Sequence, residues 1–434
     1  MIYKRIKQVL INTHQALQSP YFGFIQGHAH LLPEEINKIK VLVGLQSDGI
    51  VLDFESQFAK LVGEGEAIAY AAARMAFYDL MRLLDISKGD EVVLLGATCA
   101  VMANAVMRTG ATPIFADIDP DTFGSSRETI SACISLKTRM IVAQHSFGIP
   151  CNIEPITKFA KEKNIFLLED CALTLGSKVN GVIVGNFGDA ALFSTDHSKP
   201  LSTLTGGLIY TRDKALARRM RSSQAACSEL SVTRQQTLWR RFLLELHYCD
   251  AKRYGRMGLI DLLLIVKKKL INIEGDFLSE DFGAGNVTTY PYPAKLPAFL
   301  AAIGLIEINR WPIVADERSM LLKKLIGVLS DKKADFCLPK AYTNKAFQIV
   351  PLRLAWSETN GANVRKAIQD FVHVPSTWFM QPIISTNEPI ENLGYRAGSC
   401  PISECIGPNM VNIPCNVAKN DVSKLIALFE GVYV

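Results

Sequence analysis

The stretch Leu167-Leu168-Glu169-Asp170 is followed by Ser194-Thr195-Asp196-His197-Ser198-Lys199 and then by Gly206-Gly207. A buried strand that ends in an acid places that carboxylate at the edge of a parallel sheet where ligands bind. Lys199 lies just after a second apolar strand and before the Gly-Gly turn, so its amine can point back to the same edge. These three segments therefore predict an α/β fold with an acid and a lysine at one ligand-binding edge.

The segments around this stretch alternate between strand-like and helical patterns from residue 66 to residue 210. Ile68, Ala72 and Ala76 recur at helical spacing, which predicts a helix over 66–84. Further helices are predicted at 100–108 and 153–163, and buried strands at 92–95, 113–116, 140–143, 165–168, 190–193 and 208–210. This alternation indicates a mostly parallel central sheet flanked by helices, the fold class that we expect.

The composition changes along the chain and suggests four parts. We expect an N-terminal extension at 1–50, a large cofactor-binding α/β domain at 51–211, a basic helical insertion at 212–290 and a smaller α+β domain at 291–434. The last part has a helix over 296–318 that is interrupted or bent at Pro312, strands at 349–354 and 411–413, and a helix at 422–429. An apolar run at 259–271 ends in three lysines. It is either a weak membrane-surface contact or a buried or interface helix.

The overall composition is that of an ordinary globular protein. Its 434 residues are 49% hydrophobic and 21% charged, and its net charge of +5 from 47 basic and 42 acidic residues gives no argument for nucleic-acid binding. The ten cysteines are scattered, with no CxxC pair and no zinc-ligand spacing, so no metal is expected. No signal peptide and no run of about 20 apolar residues is apparent, and we expect a cytoplasmic protein with reduced thiols.

Lys199, Asp170 and the small residues nearby match what pyridoxal phosphate requires from a protein. This cofactor needs a lysine for a Schiff base, a carboxylate beside its ring nitrogen, and a helix N-terminus or small-residue loop for its phosphate. Each residue alone also has an ordinary explanation, since Lys199 could be an exposed loop lysine and Asp170 a helix cap. Their combination and order favour the cofactor.

Several further segments, in the same order along the chain, strengthen this interpretation. They are Phe54-Glu55, 88–92, 110–119, His145-Ser146-Phe147-Gly148, Gly188-Asp189, 300–305 before Arg310, and Cys400-Pro401, Glu404 and Asn412-Ile413-Pro414. With the first stretch, they resemble the DegT/DnrJ/StrS family of sugar aminotransferases, from about Val51 to the C-terminus. The resemblance implies the type I fold of pyridoxal-phosphate enzymes.

The resemblance also implies roles for individual residues. Lys199 would be the Schiff-base lysine and the proton carrier, and Asp170 would pair with the ring nitrogen. The cofactor phosphate would be held by the Ser194 hydroxyl together with the backbone amides of Ala73, Arg74 and Met75 at a helix start. His145 is either a residue behind the site or a packed core histidine.

Three positions depart from the family's pattern. Its Ser-Gly-Thr phosphate turn is replaced by Ala73-Arg74-Met75. Cys99 stands where an aromatic residue commonly stacks on the cofactor ring, and Leu173 stands where a Gln or His usually contacts the ring hydroxyl. We expect these changes to loosen the cofactor site without removing its lysine or its aspartate.

The resemblance implies an aminotransferase that moves an amino group from glutamate or glutamine to a nucleotide-linked keto sugar, in polysaccharide or glycoconjugate biosynthesis. Two alternatives stay open. One is a dehydratase on the same scaffold, in which a histidine takes the lysine position and for which His197 lies close by. The other is a non-catalytic relative that binds or regulates. A homodimer with a shared active site is also implied, with Asn286 and Tyr290 as stand-ins for the family's cross-subunit contact.

Overall fold

The computed structural model describes residues 27–249, 263, 290–330, 336–371, 378–386, 388–417 and 422–432. The strands are β1 (Glu66–Tyr70), β2 (Glu91–Leu95), β3 (Thr98–Cys99), β4 (Thr112–Ala116), β5 (Thr138–Gln144), β6 (Phe166–Asp170), β7 (Lys178–Val179), β8 (Val182–Ile183), β9 (Ala190–Ser194), β10 (Gly207–Thr211), β11 (Phe336–Cys337), β12 (Phe347–Gln348), β13 (Arg353–Glu358), β14 (Ile383–Ile384) and β15 (Met410–Pro414). The helices are Pro33–Lys40, Asp48–Val62, Ala73–Leu83, Ala100–Thr109, Arg127–Ser131, Ile153–Lys163, Lys214–Ala225, Val232–Tyr248, Ala298–Ser330, Gly361–Phe371, Pro401–Ile406 and Val422–Val432.

A seven-stranded sheet in the order β1-β10-β9-β6-β5-β2-β4 forms the centre of the large unit. The pairs from β9 to β4 are all parallel, whereas β10 runs antiparallel to both of its neighbours. Because helices cover the sheet, its strands are almost entirely buried. The predicted fold class is confirmed, and the strands predicted between residues 92 and 210 are all present.

The predicted helix over 66–84 is wrong in its first third. Glu66–Tyr70 forms β1, which pairs antiparallel with β10 so that Ile68 faces Ile209, and the helix begins only at Ala73. The helical spacing of Ile68, Ala72 and Ala76 misled the prediction, since every residue from Ala67 to Tyr70 is buried and the strand has no polar face to reveal a period of two. Pairing with β10, a contact distant in sequence, decides the structure here.

The helices that follow β10 belong to the core of the large unit. Leu216 and Met220 of Lys214–Ala225, and Leu238 and Phe242 of Val232–Tyr248, lie in the same buried cluster as the sheet. Within the predicted 212–290 segment, the helix Lys214–Ala225 therefore packs on β1 and β10, and Val232–Tyr248 contributes to the same core. The division of the chain into four parts stays a prediction, and residues 259–271 lie outside the described residues except for Leu263.

One long helix, Ala298–Ser330, joins two hydrophobic cores. Its first half places Phe299 and Leu300 in the main cluster, and its second half places Leu325 in a smaller cluster with Trp356. The helix continues through Pro312 and is not interrupted there. By length and composition it could cross a membrane, but 44% of its most apolar window is buried inside the protein. Its side chains in the two buried clusters are those of a helix that contributes to the protein core.

The small unit is built on a three-stranded antiparallel sheet in the order β11-β13-β15. Among its contacts with the large unit, two position segments near the carboxyl edge of the large sheet. Asp117 accepts hydrogen bonds from the backbone amides of Ile402 and Ser403 at 2.7 and 2.9 Å, and so holds the first turn of Pro401–Ile406. The second contact is the parallel pairing of β14 with β3, which brings residues 378–386 over the carboxyl edge of the large sheet.

Gly207 allows β10 to pass very close to the start of the helix Ala73–Leu83. A Cβ atom added there would overlap with the backbone N and Cα of Ala73. We expect Gly207→Ala to lower the free energy of unfolding by about 1–3 kcal/mol, since backbone must move to make room. Gly49→Ala is the control, because an added Cβ meets no atom within 4 Å there and alanine favours the helix. Equal urea midpoints for the two variants would contradict the prediction.

Candidate active site

A cavity of about 200 Å³ lies at the carboxyl edge of the central sheet. Asp170 ends β6 and Ser194 ends β9, and both line it. Lys199, from the loop after β9, lines it as well. The three residues that the sequence singled out first therefore face one cavity, because parallel strands bring their last residues to the same edge.

Asp170 presents a buried carboxylate to the cavity. The residue is 4% exposed, and its Oδ1 accepts a hydrogen bond from the backbone amide of Ala172 at 2.9 Å. Burial raises the pKa of Asp170 above its usual value, and the Ala172 amide and the positive charge of Lys199 oppose that rise. A buried acid of this kind is well suited to a cationic partner, whose charge would favour the carboxylate.

Lys199 is fixed by its backbone and by an aromatic neighbour. Its amide donates to the carbonyl oxygen of Asp196 at 3.0 Å, and its Nζ lies 4.8 Å from the ring centroid of Trp378. Trp378 comes from the small unit and also lines the cavity. Sequence reasoning missed it, and no pattern around residue 378 signals it, since contacts distant in sequence, the pairing of β14 with β3 and a hydrogen bond from Asn412, bring it here.

The start of the helix Ala73–Leu83 forms another wall of the cavity. Ala73 and Arg74 line it together with Ser194. Ala72, the residue before the helix, has a methyl side chain that cannot cap the first amides. Met75 is different, since its side chain is fully buried and its amide already donates to the Ala72 carbonyl oxygen at 3.0 Å. Ala73 and Arg74 are thus better placed than Met75 to hold an anion.

Except for Met75, the residues that depart from the family's pattern line the cavity. Cys99 and Leu173 both face it and give it a small thiol and an apolar wall. Gln144 is a further lining residue that the sequence analysis missed. Its position was a usable signal, because a polar residue that ends a buried strand lies at the ligand edge of the sheet.

His145 is a packed residue behind the sheet edge. Its side chain is fully buried, its Nδ1 accepts from the Cys151 amide at 3.0 Å, and its Nε2 lies 3.2 Å from Glu169. Glu169 also accepts from the amides of Gly185, Phe187 and Gly188 at 2.6–2.8 Å. Although His145, Glu169 and Cys171 lie close enough to hold a metal ion, these hydrogen bonds already use the carboxylate to shape the 185–188 turn.

His197 forms an ion pair beneath the Lys199 loop. Its Nδ1 lies 3.0 Å from Oε1 of Glu245, which also accepts from Nε of Arg241 at 2.6 Å. Burial by itself lowers the pKa of His197, but the carboxylates of Asp196 and Glu245 raise it to about 9. Burial raises the pKa of Glu245, but His197 and Arg241 lower it to about 2. The pair is therefore charged at neutral pH.

This ion pair predicts a stability that depends on pH. Because the folded pKa of His197 lies above its ordinary value of 6.5, its contribution is complete below that value and is lost as the pH rises through about 9. We expect the difference in melting temperature between wild type and Glu245→Gln to shrink between pH 7 and about pH 10. A difference that stays constant over this range in thermal melts of the cofactor-free protein would contradict the prediction.

Two residues expected at a subunit contact can be only partly located. Asn286 lies outside the described residues. Tyr290 is buried within this chain, and the guanidinium of Arg234 lies 5.3 Å from its ring centroid. Its suggested role in a neighbouring subunit stays a prediction.

The residues at the cavity fit pyridoxal phosphate. A lysine amine and a buried carboxylate face the same space, and a helix start without a side-chain cap lies beside the Ser194 hydroxyl. The amine is a partner for the cofactor's aldehyde, the carboxylate is a partner for its ring nitrogen, and the helix start and the hydroxyl are donors for its phosphate. Cys99 and Leu173 supply no polar contact beyond these.

Comparison with known proteins agrees with this geometry. Residues 44–257 match the DegT/DnrJ/EryC1/StrS aminotransferase family. GDP-perosamine synthase of Escherichia coli O157:H7 is 38% identical over 184 residues, which are 42% of this chain and 50% of that protein. The spore coat polysaccharide biosynthesis protein SpsC of Bacillus subtilis is 33% identical over 208 residues, 45% of this chain and 54% of that protein. The matched region thus spans about half the length of these curated relatives.

Solved structures extend the similarity of fold over nearly the whole chain. An aminotransferase from Psychrobacter cryohalolentis superposes with a TM-score of 0.70 at 18% identity, covering 93% of this chain and 97% of that one. DesV of S. venezuelae, solved with a ketimine intermediate, gives a TM-score of 0.69 at 19% identity, covering 95% and 98%. Residues 44–257, just under half of this chain, thus match the DegT/DnrJ/EryC1/StrS aminotransferase family, and the solved structures show that the similarity of fold extends over nearly all of the rest.

Proposed function

We propose that this protein is a pyridoxal-phosphate aminotransferase that transfers an amino group from an amino acid, glutamate in the first place, to a nucleotide-linked keto sugar. The observation that carries the proposal is that Lys199 and Asp170 face one cavity beside Ser194 and the start of the helix Ala73–Leu83. Relatives named as GDP-perosamine synthase and as a dTDP-sugar 4-aminotransferase support the substrate class. A place in polysaccharide or glycoconjugate biosynthesis is part of the proposal and is supported by the relative named as a spore coat polysaccharide biosynthesis protein.

Each residue has a distinct role in this proposal. When bound, pyridoxal phosphate supplies a ring that withdraws electrons from the carbon under attack. Asp170 would keep a proton on the ring nitrogen, and Ser194 with the amides of Ala73 and Arg74 would hold the phosphate. The Nζ of Lys199 would hold the cofactor at its aldehyde carbon and, when free, would accept the proton that leaves the donor Cα.

The dehydratase alternative assigns the base to a histidine, and the nearest candidate is His197. That imidazole is held between Asp196 and Glu245, and its pKa is raised to about 9, so it is protonated at neutral pH. A cationic imidazole cannot accept a proton. His197 is therefore better suited to support the loop that carries Lys199 than to replace this lysine.

A non-catalytic relative is the remaining alternative, and it would explain the altered residues at positions 73–75, Cys99 and Leu173. Despite these changes, Lys199 and Asp170 face the same cavity. We further propose that the protein acts in the cytoplasm as a homodimer with a shared site. The family resemblance supports the dimer, and the proposed nucleotide-sugar substrate supports the location.

The test is a half-reaction with the purified protein. After addition of pyridoxal phosphate we expect visible absorbance that borohydride abolishes, and glutamate should bleach it with release of one equivalent of 2-oxoglutarate per site. A nucleotide-linked 4-keto sugar should then restore the absorbance and appear as an amino sugar. A protein that binds the cofactor but leaves glutamate unchanged would favour the non-catalytic alternative. Absence of binding at saturating cofactor would overturn the proposal.

A further inference from the structure

Trp378 is an aromatic residue of the small unit that reaches into the cavity of the large unit. It is 8% exposed, and two cations lie over its indole ring, with Lys199 Nζ at 4.8 Å and Arg353 Cζ at 4.6 Å from the ring centroid. Contacts of this kind are strongest where water is excluded, and Arg353 is only 2% exposed. The indole is therefore a fixed neighbour of the reacting amine.

Two strands of the small sheet hold Trp378 in place. Arg353 in β13 donates from Nη1 to Oδ1 of Asn412 in β15 at 2.7 Å, and the Nδ2 of Asn412 donates to the Trp378 carbonyl oxygen at 3.1 Å. Arg353 thus contacts both the indole ring of Trp378 and the side-chain amide of Asn412, which fixes the backbone of Trp378. Such a pre-positioned aromatic ring costs little conformational entropy when it packs against a ligand.

Among the described residues that line the cavity, the large unit contributes no Phe, Tyr or Trp. Cys99, at the end of the strand that pairs with β14, presents a thiol to the cavity, and the neighbouring Ile384 of β14 is aliphatic. Of the described residues that line the cavity, Trp378 and Phe379 are the aromatic ones, and only Trp378 has Lys199 over its ring. The aromatic contact to the amine thus comes from the C-terminal part of the chain.

We infer that Trp378 is the aromatic wall of the cofactor site in this protein. Its ring holds the Lys199 ammonium at the cavity and becomes the surface against which the bound cofactor ring packs. The second role rests on the proposed function, whereas the contact with the amine does not. It follows that docking of the small unit, through β14 and the Asp117 contact, completes the site.

The first test examines the amine without cofactor. Reductive ¹³C-methylation gives each lysine an NMR signal, and the Lys199 signal is assigned by its loss in Lys199→Arg. A ring over the amine should displace this signal upfield in the wild type. Trp378→Leu should return it to the range of the other lysines, and Trp378→Phe should keep part of the displacement. A wild-type signal without displacement would overturn the inference.

The second test measures cofactor binding by quenching of tryptophan fluorescence and by absorbance. We expect Trp378→Leu to bind pyridoxal phosphate roughly tenfold more weakly and Trp378→Phe within about threefold of the wild type. Trp311→Phe is the matched control, since Trp311 is another buried tryptophan, with the Arg318 guanidinium 5.5 Å from its ring centroid, outside the cavity. It should bind like the wild type.

The results separate the two proposals. A displaced Lys199 signal with no cofactor binding by the wild type would overturn the proposed function and the packing role, and would leave the contact between Trp378 and the amine. Equal affinity of the wild type, Trp378→Leu and Trp378→Phe would overturn the packing role while the proposed function stands. Circular dichroism of both variants checks that they are folded.

Discussion

Lys199→Ala is expected to reduce the rate of transamination by at least about a thousandfold, because it removes both the anchor for the aldehyde carbon and the group that moves the proton. The variant should also lack the visible absorbance that borohydride abolishes in the wild type. After borohydride treatment, mass spectrometry of the wild-type peptides should find the added cofactor mass on the peptide that contains Lys199.

Lys214→Ala is the control for this substitution. Lys214 is an exposed lysine at the start of the helix Lys214–Ala225, outside the residues that line the cavity. Its loss should leave both the rate and the labelled peptide unchanged. Label on a different lysine in the wild type would show that Lys199 is assigned wrongly, even if the protein proves to be an aminotransferase.

Asp170→Asn is expected to lower the turnover rate by roughly a hundred- to a thousandfold, while the cofactor-free protein becomes no less stable. The loss of rate arises because a neutral amide cannot hold a proton on the ring nitrogen. The expected change in the free energy of unfolding, by contrast, is zero or favourable. Because burial raises the folded pKa of Asp170, its carboxylate destabilises the fold once the pH exceeds that value, and asparagine removes this cost.

The measurements are the steady-state rate and the urea midpoint of the cofactor-free protein at neutral pH. Asp189→Asn is the matched control, since the Asp189 carboxylate accepts a hydrogen bond from the Leu167 amide at 2.8 Å before β9, away from the cavity. It should lose some stability and keep its activity. A fully active Asp170→Asn, or one with a clearly lower midpoint, would contradict the assignment of Asp170.

The sequence identified the strand ends because local chemistry marks them. Val92, Ile141 and Leu167 lie in short apolar runs bounded by turn residues, and such runs become strands that are buried on both faces. Asp170 and Lys199 could be predicted for the same reason, since each follows a run of this kind. The prediction of a helix over 66–84 was wrong for its first residues, where the apolar pattern fits a strand as well as a helix. Pairing with β10 makes Glu66–Tyr70 a strand.

Other features were decided by contacts between residues that are distant in the chain. The ion pair of His197 with Glu245 joins residues 48 positions apart, and no spacing in the sequence relates them. The hydrogen bonds of Asp117 to the amides of Ile402 and Ser403 join residues about 285 positions apart. The amides of Ala73 and Arg74, and not that of Met75, are proposed for the phosphate because the Met75 amide already donates to the Ala72 carbonyl oxygen.

By itself the sequence determined the fold class and the meeting of Lys199 and Asp170 at one sheet edge, because strand periodicity and the geometry of a parallel sheet place these residues there. Only the tertiary structure decided that an aromatic ring stands over Lys199. In the large unit, Cys99 supplies a small thiol and no aromatic ring to the cavity. Trp378 reaches the cavity because β14 pairs with β3 and because Asn412 of the small sheet fixes the Trp378 backbone. Such pairing between distant segments depends on the packing of whole units, which local patterns of residues do not record.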